Sequence, residues 1–371
     1  MGSCRAVWPL WRGPRFGCTS EGYLRHPAES QCAERAAQSH QTPMPQILVE
    51  NLVKTFRVAE RAPGVWGAMM VGRVRRKHRT VTALDGLSFS LEEGELLGYI
   101  GPNGAGKSTA VKILSGILVP DSGRVEVLGR TPWQDRIETV RHLGVVFGQR
   151  TQLWWDLPAV ESFELLRDIY GVPQVEYERN RDELVELLDL TRLLDPPVRQ
   201  LSLGQRMRCD LAAARLHSPQ ILYLDEPTIG LDAVSKLAIR DFVRRLNRER
   251  GVTVILTTHD MDDIEALCRR VLVVNEGRLL TDGTLDDLRA RATAERRLVV
   301  DLVEADGEVD DPDAETAERQ GGRITLRFNP KQVATAELIA RIAARHEIRD
   351  LFVENPPIEE IVARLYGGEG R

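Results

Sequence analysis

The sequence has no apolar run long enough to cross a bilayer, since a membrane-spanning helix takes about 20 such residues. Its most apolar stretches, residues 251–258 and 270–277, have the length of single strands. Residues 1–19 lack the apolar centre of a secretory signal, and Ala6 stands where a myristoylation site requires Ser or Thr. If the protein works at a membrane, we therefore expect another subunit to supply the membrane span.

Cysteine pairs and an excess of positive charge are also missing. The five cysteines include no Cys-x-x-Cys pair, which disfavours a zinc site or a disulfide framework and favours a reducing compartment. The formal net charge of −5 argues against a dominant nucleic-acid surface, so we predict no nucleic-acid partner. With 42% hydrophobic and 28% charged residues, the 371-residue chain is typical of a globular protein with one large domain, or a large and a smaller one.

The patterning of the chain defines three regions. Residues 1–44 show no sustained period and are interpreted as a disordered or non-native extension, with a docking tail that uses Trp8 and Trp11 as the alternative. Residues 45–292 are regular and predict the main domain. Residues 293–371 predict a small α+β accessory domain with the order β-β-α-β-α, which either regulates or assists dimerisation or acts as a stabilising cap.

Within the main domain, strand patterns alternate with helical patterns. This alternation predicts an α/β fold with a mostly parallel sheet that is covered on both faces. Residues from about 151 to 215 contain helical patterns without a strand, which predicts a helical subdomain. A basic interruption at residues 61–79, with the run GRVRRKHR, is interpreted as a solvated surface loop or as a basic lip near lipid headgroups or a partner subunit.

The nonapeptide GPNGAGKST follows a predicted strand and opens a predicted helix. It fits the pattern Gly-x-x-x-x-Gly-Lys-Ser/Thr in the structural context that the pattern requires. The glycines let the backbone wrap a phosphate chain, while Lys107 would reach the β- and γ-phosphates and Ser108 would be a ligand of Mg²⁺. We therefore predict a nucleotide phosphate site at Gly101, Pro102, Asn103, Gly104, Ala105, Gly106, Lys107, Ser108 and Thr109.

Polar residues follow three further predicted strands. Asp225 and Glu226 follow ILYL, His259 follows TVILTT, and Gln149 follows GVVFG. A carboxylate at the end of a buried strand needs a cation or hydrogen-bond donors, so Asp225 would hold Mg²⁺ and Glu226 would polarise an attacking water. Alone, an Asp-Glu pair or a single His is ordinary; here all of these groups are expected on the one rim of the sheet where ligands bind.

The stretch LSLGQRMRCD, residues 201–210, predicts a helix start with a Ser and a Gly in its first turn. Such a start exposes backbone N–H groups that suit an anion. However, no Lys, metal ligand or Gly-rich loop is its immediate neighbour in the sequence, so the stretch predicts only half of a binding site.

In these motifs and their order, residues 47–292 resemble the nucleotide-binding ATPase subunits of ABC transporters. The matching motifs are GPNGAGKST (Walker A), FGQ (Q-loop), LSLGQ (signature), ILYLDEP (Walker B), IGLDAVS (D-loop) and TTHD (H-loop). The resemblance implies a P-loop ATPase core that also carries an antiparallel β subdomain and a helical subdomain. It further implies ATP and Mg²⁺ as cofactors and ATP hydrolysis coupled to transport.

The resemblance also implies roles for individual residues. Phe56 would stack on adenine, and Asp232 in the D-loop would act across a dimer. The catalytic set would be Glu226, His259 on the γ-phosphate, and Gln149, which would contact Mg²⁺ or water. The signature would bind the γ-phosphate of an ATP held by another copy of the chain, through Ser202, Leu203, Gly204 and Gln205. Leu203 replaces the first Gly of the family's Leu-Ser-Gly-Gly-Gln.

The adjacent Trp154 and Trp155 occur where the family meets the coupling helix of a transmembrane subunit. Paired Trp side chains suit an interface anchor, and two core aromatics are the alternative. The basic interruption, the segment GQRTQLWWDLP and the C-terminal region resemble the ABC-2-type exporter branch. That implies export through a separate permease, a homodimer or a paired ATPase subunit, and peripheral attachment at the cytoplasmic face of the membrane.

Three alternatives stay open within this interpretation. An importer ATPase is the nearest. A soluble ABC ATPase without a permease is disfavoured, because the chain has one cassette and no sustained heptads. A regulatory nucleotide-binding module that does not hydrolyse is disfavoured by the presence of both Glu226 and His259.

Overall fold

We describe the protein from a computed structural model, which covers residues 45–59, 78–148, 150–292, 295–304, 309–355 and 357–368. The predicted extension at residues 1–44, residues 61–77 of the basic interruption, and Gln149 lie outside the described residues. None of the helices in the described part of the chain combines the length and the apolar character that a bilayer crossing requires.

The strands of the described residues, in chain order, are β1 (Ile47–Ala59), β2 (His78–Leu91), β3 (Leu96–Ile100), β4 (Ser122–Val127), β5 (Leu143–Phe147), β6 (Ile221–Asp225), β7 (Thr253–Thr258), β8 (Arg270–Asn275), β9 (Arg278–Thr284), β10 (Arg296–Leu302), β11 (Ala314–Gln320), β12 (Arg323–Phe328) and β13 (Ile348–Glu354). The helices are α1 (Lys107–Leu114), α2 (Arg136–Arg141), α3 (Ala159–Tyr170), α4 (Gln174–Leu187), α5 (Leu203–Arg215), α6 (Ala233–Arg250), α7 (Met261–Leu267), α8 (Leu285–Ala292), α9 (Thr335–Ala343) and α10 (Ile358–Gly368).

The central sheet has the strand order β5-β6-β7-β3-β8-β9, in which the first five strands are parallel and β9 is antiparallel. Strands β3, β6 and β7 are buried along their whole length, as expected when both faces of a parallel sheet are covered. Alternate residues of β6 belong to opposite faces, since Leu222 and Leu224 join one core cluster and Ile221 and Tyr223 the other. The predicted α/β fold is confirmed.

Two different layers cover the faces of this sheet. On one face, α1 and a three-stranded antiparallel sheet with the order β2-β1-β4 share the core cluster that contains Tyr223. On the other face, residues of α3, α4, α5 and α6 share the cluster that contains Leu222. Residues 151–215 contain α3, α4, α5 and a short 3-10 helix but no strand, as the sequence pattern predicts.

The C-terminal region contains one strand more than the sequence predicts. Its antiparallel sheet has the order β11-β12-β10-β13, and β11 lies at one edge of it. The strand β11 reads AETAERQ and is largely exposed, so its residues alternate neither in polarity nor in burial. A strand that is solvated in this way lacks the period of two by which strands are recognised in a sequence.

The last helix, α10, packs back against the main domain. Ile358, Ile361 and Val362 of α10 belong to the same core cluster as Leu285 and Leu288 of α8. Helix α9, in contrast, packs against the C-terminal sheet, with which it shares a separate, smaller core cluster. The C-terminal region therefore has a core of its own and, through α10, a share in the core of the main domain.

His217, which follows α5, predicts a pH dependence of stability. Its ring stacks on Tyr170 with centroids 3.8 Å apart, its Nε2 lies 2.9 Å from the Leu143 carbonyl oxygen, and burial lowers its pKa to about 4. Between pH 6.5 and pH 4 the unfolded chain binds a proton at His217 that the folded chain does not bind. The free energy of unfolding therefore decreases as the pH falls. The variant His217→Phe keeps the stacked ring and cannot titrate, so over this interval it should lose about 3 kcal/mol less free energy of unfolding than the wild type. Urea unfolding of both proteins from pH 7 to pH 4 checks this, and parallel pH profiles would contradict it.

Candidate nucleotide-binding site

The loop between β3 and α1 has a conformation that only glycine permits at two positions. Gly104 and Gly106 have φ values of 88° and 97°, and a Cβ on Gly106 would overlap the carbonyl oxygen of Ala83. Helix α1 then begins at Lys107 with no acidic side chain in its first turn and no side-chain cap. The first backbone N–H groups of α1 therefore have no side-chain cap, and such groups at a helix start suit an anion.

Lys107 is buried at the mouth of this loop. Its ammonium group donates a 2.7 Å hydrogen bond to the carbonyl oxygen of Gly101 and a 3.4 Å one to that of Pro102. It also lies 3.6 Å from Oε1 of Glu226, and only 6% of the Lys107 side chain is exposed. The charge of Lys107 is thus balanced by a carboxylate from a different strand end.

Strand β6 delivers two acids with different surroundings. Asp225 is buried, and its Oδ1 accepts a 2.5 Å hydrogen bond from the hydroxyl of Thr257 in β7. Glu226 leaves the strand with a φ of 55°, which is unusual for a residue with a Cβ, and its N–H donates to the Thr257 carbonyl oxygen at 2.8 Å. This turn directs the Glu226 carboxylate toward Lys107 rather than into the core.

His259 comes to the same carboxylate from the end of β7. Its Nδ1 lies 3.3 Å from Oε1 of Glu226, and about half of the His259 side chain is exposed. Lys107, Glu226 and His259, which come from three separate segments, therefore lie together beside the Gly-rich loop. Ser108 and Thr109 occupy the first turn of α1 beside them.

The signature residues lie apart from this cluster. Ser202 caps α5 with a capping box, in which its hydroxyl accepts from the Gln205 N–H and the Gln205 side chain accepts from the Ser202 N–H. Within the described residues, no hydrogen bond or ion pair joins residues 202–205 to residues 101–109. Leu203 is partly exposed, and a Cβ on Gly204 would overlap the hydroxyl of Ser235.

The D-loop and the predicted adenine contact have local partners. Asp232 caps α6 by accepting hydrogen bonds from the N–H of Ser235 at 2.9 Å and from its hydroxyl at 2.8 Å, which lowers the pKa of Asp232. Phe56 lies in β1 opposite Val81 of β2 and is 36% exposed, with the ammonium group of Lys54 5.7 Å from its ring centre. Its role toward adenine stays a prediction.

Two acids that follow His259, of which only Asp263 is buried, escape prediction from the sequence. Asp263 in α7 is fully buried and accepts hydrogen bonds from Thr228 and, at 2.5 Å, from Nε of Arg240 in α6. Asp260 pairs with Lys236, also in α6. These contacts tie the residues after β6 and β7 to the D-loop helix. The run of acids after His259 is visible in the sequence, but its partners are more than twenty residues away.

A buried strand that enters a Gly-rich loop, a Lys under that loop, and a carboxylate beside the Lys define a P-loop nucleotide-hydrolysing protein. A family model described as ABC transporter matches residues 84–229. The chain is 31% identical over 322 residues to the Nod factor export ATP-binding protein I of Ralstonia nicotianae, covering 83% of this chain and 97% of that protein. It is also 31% identical over 309 residues to the methionine import ATP-binding protein of Latilactobacillus sakei, covering 80% and 89%.

A solved structure extends this likeness to three dimensions. It is a dimeric ATP-binding cassette in a post-hydrolysis state with ADP and Pi, and it matches with a TM-score of 0.55 at 28% identity, over 64% of this chain and 98% of that one. The chain belongs to the ATP-binding subunits of ABC transporters. It is therefore an ABC ATPase that hydrolyses ATP for transport.

Proposed function

We propose that this subunit powers export through a separate ABC-2-type permease and works as a head-to-tail pair of ATPase subunits, in the simplest case a homodimer. The observation that carries the ATPase part is the convergence of Lys107, Glu226 and His259 at the Gly-rich loop. The observation that favours export is the likeness to a Nod factor export protein along 97% of that protein's length.

The residues of the cluster divide the work of hydrolysis. The N–H groups of residues 101–109 and the Lys107 ammonium group would hold the phosphate chain of ATP. When ATP binds, its phosphates would replace Glu226 as the partner of the Lys107 ammonium group. Glu226 would then orient and deprotonate the attacking water. His259, whose Nδ1 lies 3.3 Å from Oε1 of Glu226, would donate a hydrogen bond to the γ-phosphate. Gln149 would contact the water or the metal ion.

The oxygen donors beside the loop fit Mg²⁺. This ion keeps several waters and needs only one or two protein ligands besides the substrate phosphates. The hydroxyl of Ser108 at the start of α1 and the carboxylate of Asp225 at the end of β6 are of the required type. Mg²⁺ held there by Ser108 and Asp225 would supply positive charge that offsets the negative charge developing on the phosphates.

The separation of the signature from the loop supports a shared site. In a head-to-tail pair, Ser202 and Gly204 of one subunit would complete the phosphate site of the other, with Leu203 and Gln205 beside them and Asp232 acting across the interface. Each subunit would supply one Walker A loop and one signature. Closure of the pair on two ATP molecules, and its opening after hydrolysis, would then move the permease.

Trp154 and Trp155 suit the permease contact. In the isolated chain they are 39% and 50% exposed, which is more than two core aromatics would be. Large, exposed aromatic side chains are typical anchors of protein interfaces. Attachment through them would hold the subunit at the cytoplasmic face of the membrane.

Purification of the tagged full chain from membranes in mild detergent tests the proposed permease contact. We expect an integral membrane subunit to co-purify, and to be lost when Trp154→Ala and Trp155→Ala are combined. The control is Ile137→Ala, which removes an apolar side chain that is 74% exposed on α2 and should retain the partner. Absence of any membrane partner from the wild-type chain would contradict the proposal, and its retention by the double variant would move the contact elsewhere.

Import is the second candidate, because a methionine import protein is equally similar in identity. A transport assay in inside-out vesicles with the co-purified permease separates the two directions. Export predicts that substrate accumulates inside these vesicles when ATP is added. Import predicts instead that transport depends on a binding protein at the extracytoplasmic side of the membrane, which faces the vesicle lumen.

A further inference from the structure

The segment that follows β5 lies along one face of the signature helix α5. Trp155 lies under the guanidinium group of Arg206, 5.5 Å from its ring centre, while Thr151 and Gln152 contact Asp210. Arg206 and Asp210 are four residues apart and so lie on the same face of α5, one turn from each other. Two turns of the helix that begins at the signature thus contact Thr151, Gln152 and Trp155.

Asp210 makes most of these contacts and is only 3% exposed. Its Oδ1 accepts hydrogen bonds from the Thr151 hydroxyl at 2.8 Å and from the Gln152 N–H at 3.0 Å. Its backbone carbonyl oxygen accepts another from the Gln152 side chain at 2.8 Å. Burial raises the pKa of Asp210 to about 6. Burial of a carboxylate does not by itself stabilise the fold. We therefore attribute the role of Asp210 to the positions in which it holds Thr151 and Gln152.

The other end of the same segment is fixed to the nucleotide site. The N–H of Gly148 donates a 2.7 Å hydrogen bond to the carbonyl oxygen of Asp225, and a Cβ on Gly148 would overlap the carbonyl oxygen of Glu226. Phe147 also pairs with Asp225 across the parallel strands β5 and β6. Phe147 and Gly148 therefore contact the acidic end of β6, while Thr151, Gln152 and Trp155 contact the helix that carries the signature.

We infer that Asp210 is a positioning residue that fixes the signature helix to the segment after β5, so that Ser202 and Gly204 move together with the acidic end of β6. The inference rests on the role proposed above for the signature in the partner's nucleotide site. Through Asp210, the state of the ATP bound by one subunit changes the position of the signature that this subunit presents to the other. The two sites of the pair are thereby made to act cooperatively.

Three substitutions separate this role from simple folding. Asp210→Ala removes both carboxylate oxygens. Asp210→Asn keeps an oxygen that can accept the hydrogen bonds from Thr151 and Gln152. Thr151→Val removes one of these donors with little change of shape. A cavity of about 230 Å³ beside Asp210, lined also by Phe147 and Arg150, has room for water to satisfy the groups that are left unpaired. The matched control is Asp182→Asn, at an exposed acid on α4 that forms an ion pair with its neighbour Arg181.

The measurements are the kcat, KM and Hill coefficient of ATP hydrolysis by the purified full chain, and the Kd for ATP measured in a Ser202→Arg background, where no shared site can close. We expect Asp210→Ala to lower kcat about tenfold and to bring the Hill coefficient toward one, with the Kd unchanged. Asp210→Asn should stay within about twofold of the wild type, and Asp182→Asn should equal it. The double variant Asp210→Ala with Thr151→Val should be no worse than Asp210→Ala alone.

Other outcomes have distinct meanings. A wild-type kcat and Hill coefficient in Asp210→Ala, while Ser202→Arg is inactive, would overturn the positioning role. Wild-type hydrolysis by Ser202→Arg would instead overturn the proposed function of the signature. If Asp210→Ala does not fold, Thr151→Val tests the inference in its place. A kcat about threefold lower, with unchanged Kd and thermal stability, supports the inference, and an unchanged kcat opposes it.

Discussion

Replacement of Glu226 by Gln should lower the rate of ATP hydrolysis at least about a hundredfold, because a positioned general base contributes that much or more to a proton transfer. Gln has the same shape but cannot accept the proton of the attacking water. The Glu226 carboxylate lies 3.6 Å from the Lys107 ammonium group and 3.3 Å from His259, so the substitution also removes a negative charge that would repel the γ-phosphate. ATP should therefore bind as well as before or more tightly.

The unhydrolysed nucleotide should hold the pair of subunits closed. Size-exclusion chromatography with MgATP should show a dimer of Glu226→Gln and mainly monomer of the wild type, which releases its product. A steady-state ATPase assay and equilibrium nucleotide binding supply the rate and the affinity. The matched control is Glu249→Gln, at an exposed acid near the end of α6, which should behave as the wild type. Hydrolysis by Glu226→Gln at the normal rate would refute the role of Glu226.

Replacement of Ser202 by Arg should abolish turnover and leave ATP binding to an isolated subunit largely intact. The hydroxyl of Ser202 accepts the N–H of Gln205 at the start of α5, a position that Arg cannot cap and that its long side chain would obstruct. The loss of a cap costs about 1 kcal/mol, which the buried helix α5 tolerates. Since no hydrogen bond or ion pair joins residues 202–205 to the Gly-rich loop of their own subunit, ATP binding at that loop should not change.

The same ATPase and binding assays check this prediction, with Ser202→Thr as the control. Thr retains the hydroxyl and caps helices nearly as well as Ser, so most of the turnover should survive. If Ser202→Arg and the wild type hydrolysed ATP equally fast, a site shared between two subunits would be wrong. If Ser202→Arg instead lost ATP binding, the signature would be part of its own subunit's site.

The sequence predicts the core of the fold because its signals there are local. A continuous apolar strand, a Gly-rich turn and the start of a helix follow each other within fifteen residues. In a parallel sheet the carboxyl ends of the strands share one rim, which brings this turn together with Glu226 and His259. The strand β11 is missed because it is solvated at a sheet edge and has no apolar alternation. Its existence depends on β12, which supplies the hydrogen bonds, and not on its own side chains.

The finer parts of the site depend on partners that are far away in the chain. Asp210 is one of several polar residues in α5, and its role emerges only from its contacts with Thr151 and Gln152, nearly sixty positions earlier. The positive φ of Glu226 likewise accompanies a close approach of Gly148, on which a Cβ would overlap the Glu226 carbonyl oxygen. Neither pairing leaves a spacing or a period that could be read in one sequence.

The packing of α10 against α8 has a consequence for the order in which the protein is made. The cluster that contains Leu285 and Leu288 begins with Leu96 and includes Val362. On the ribosome, every residue of the ATP-binding core is therefore synthesised before the helix that closes this part of the cluster emerges. Until α10 emerges, the nascent chain exposes the apolar side of α8 to the solvent. A stop codon placed shortly after α8 would leave this surface permanently uncovered.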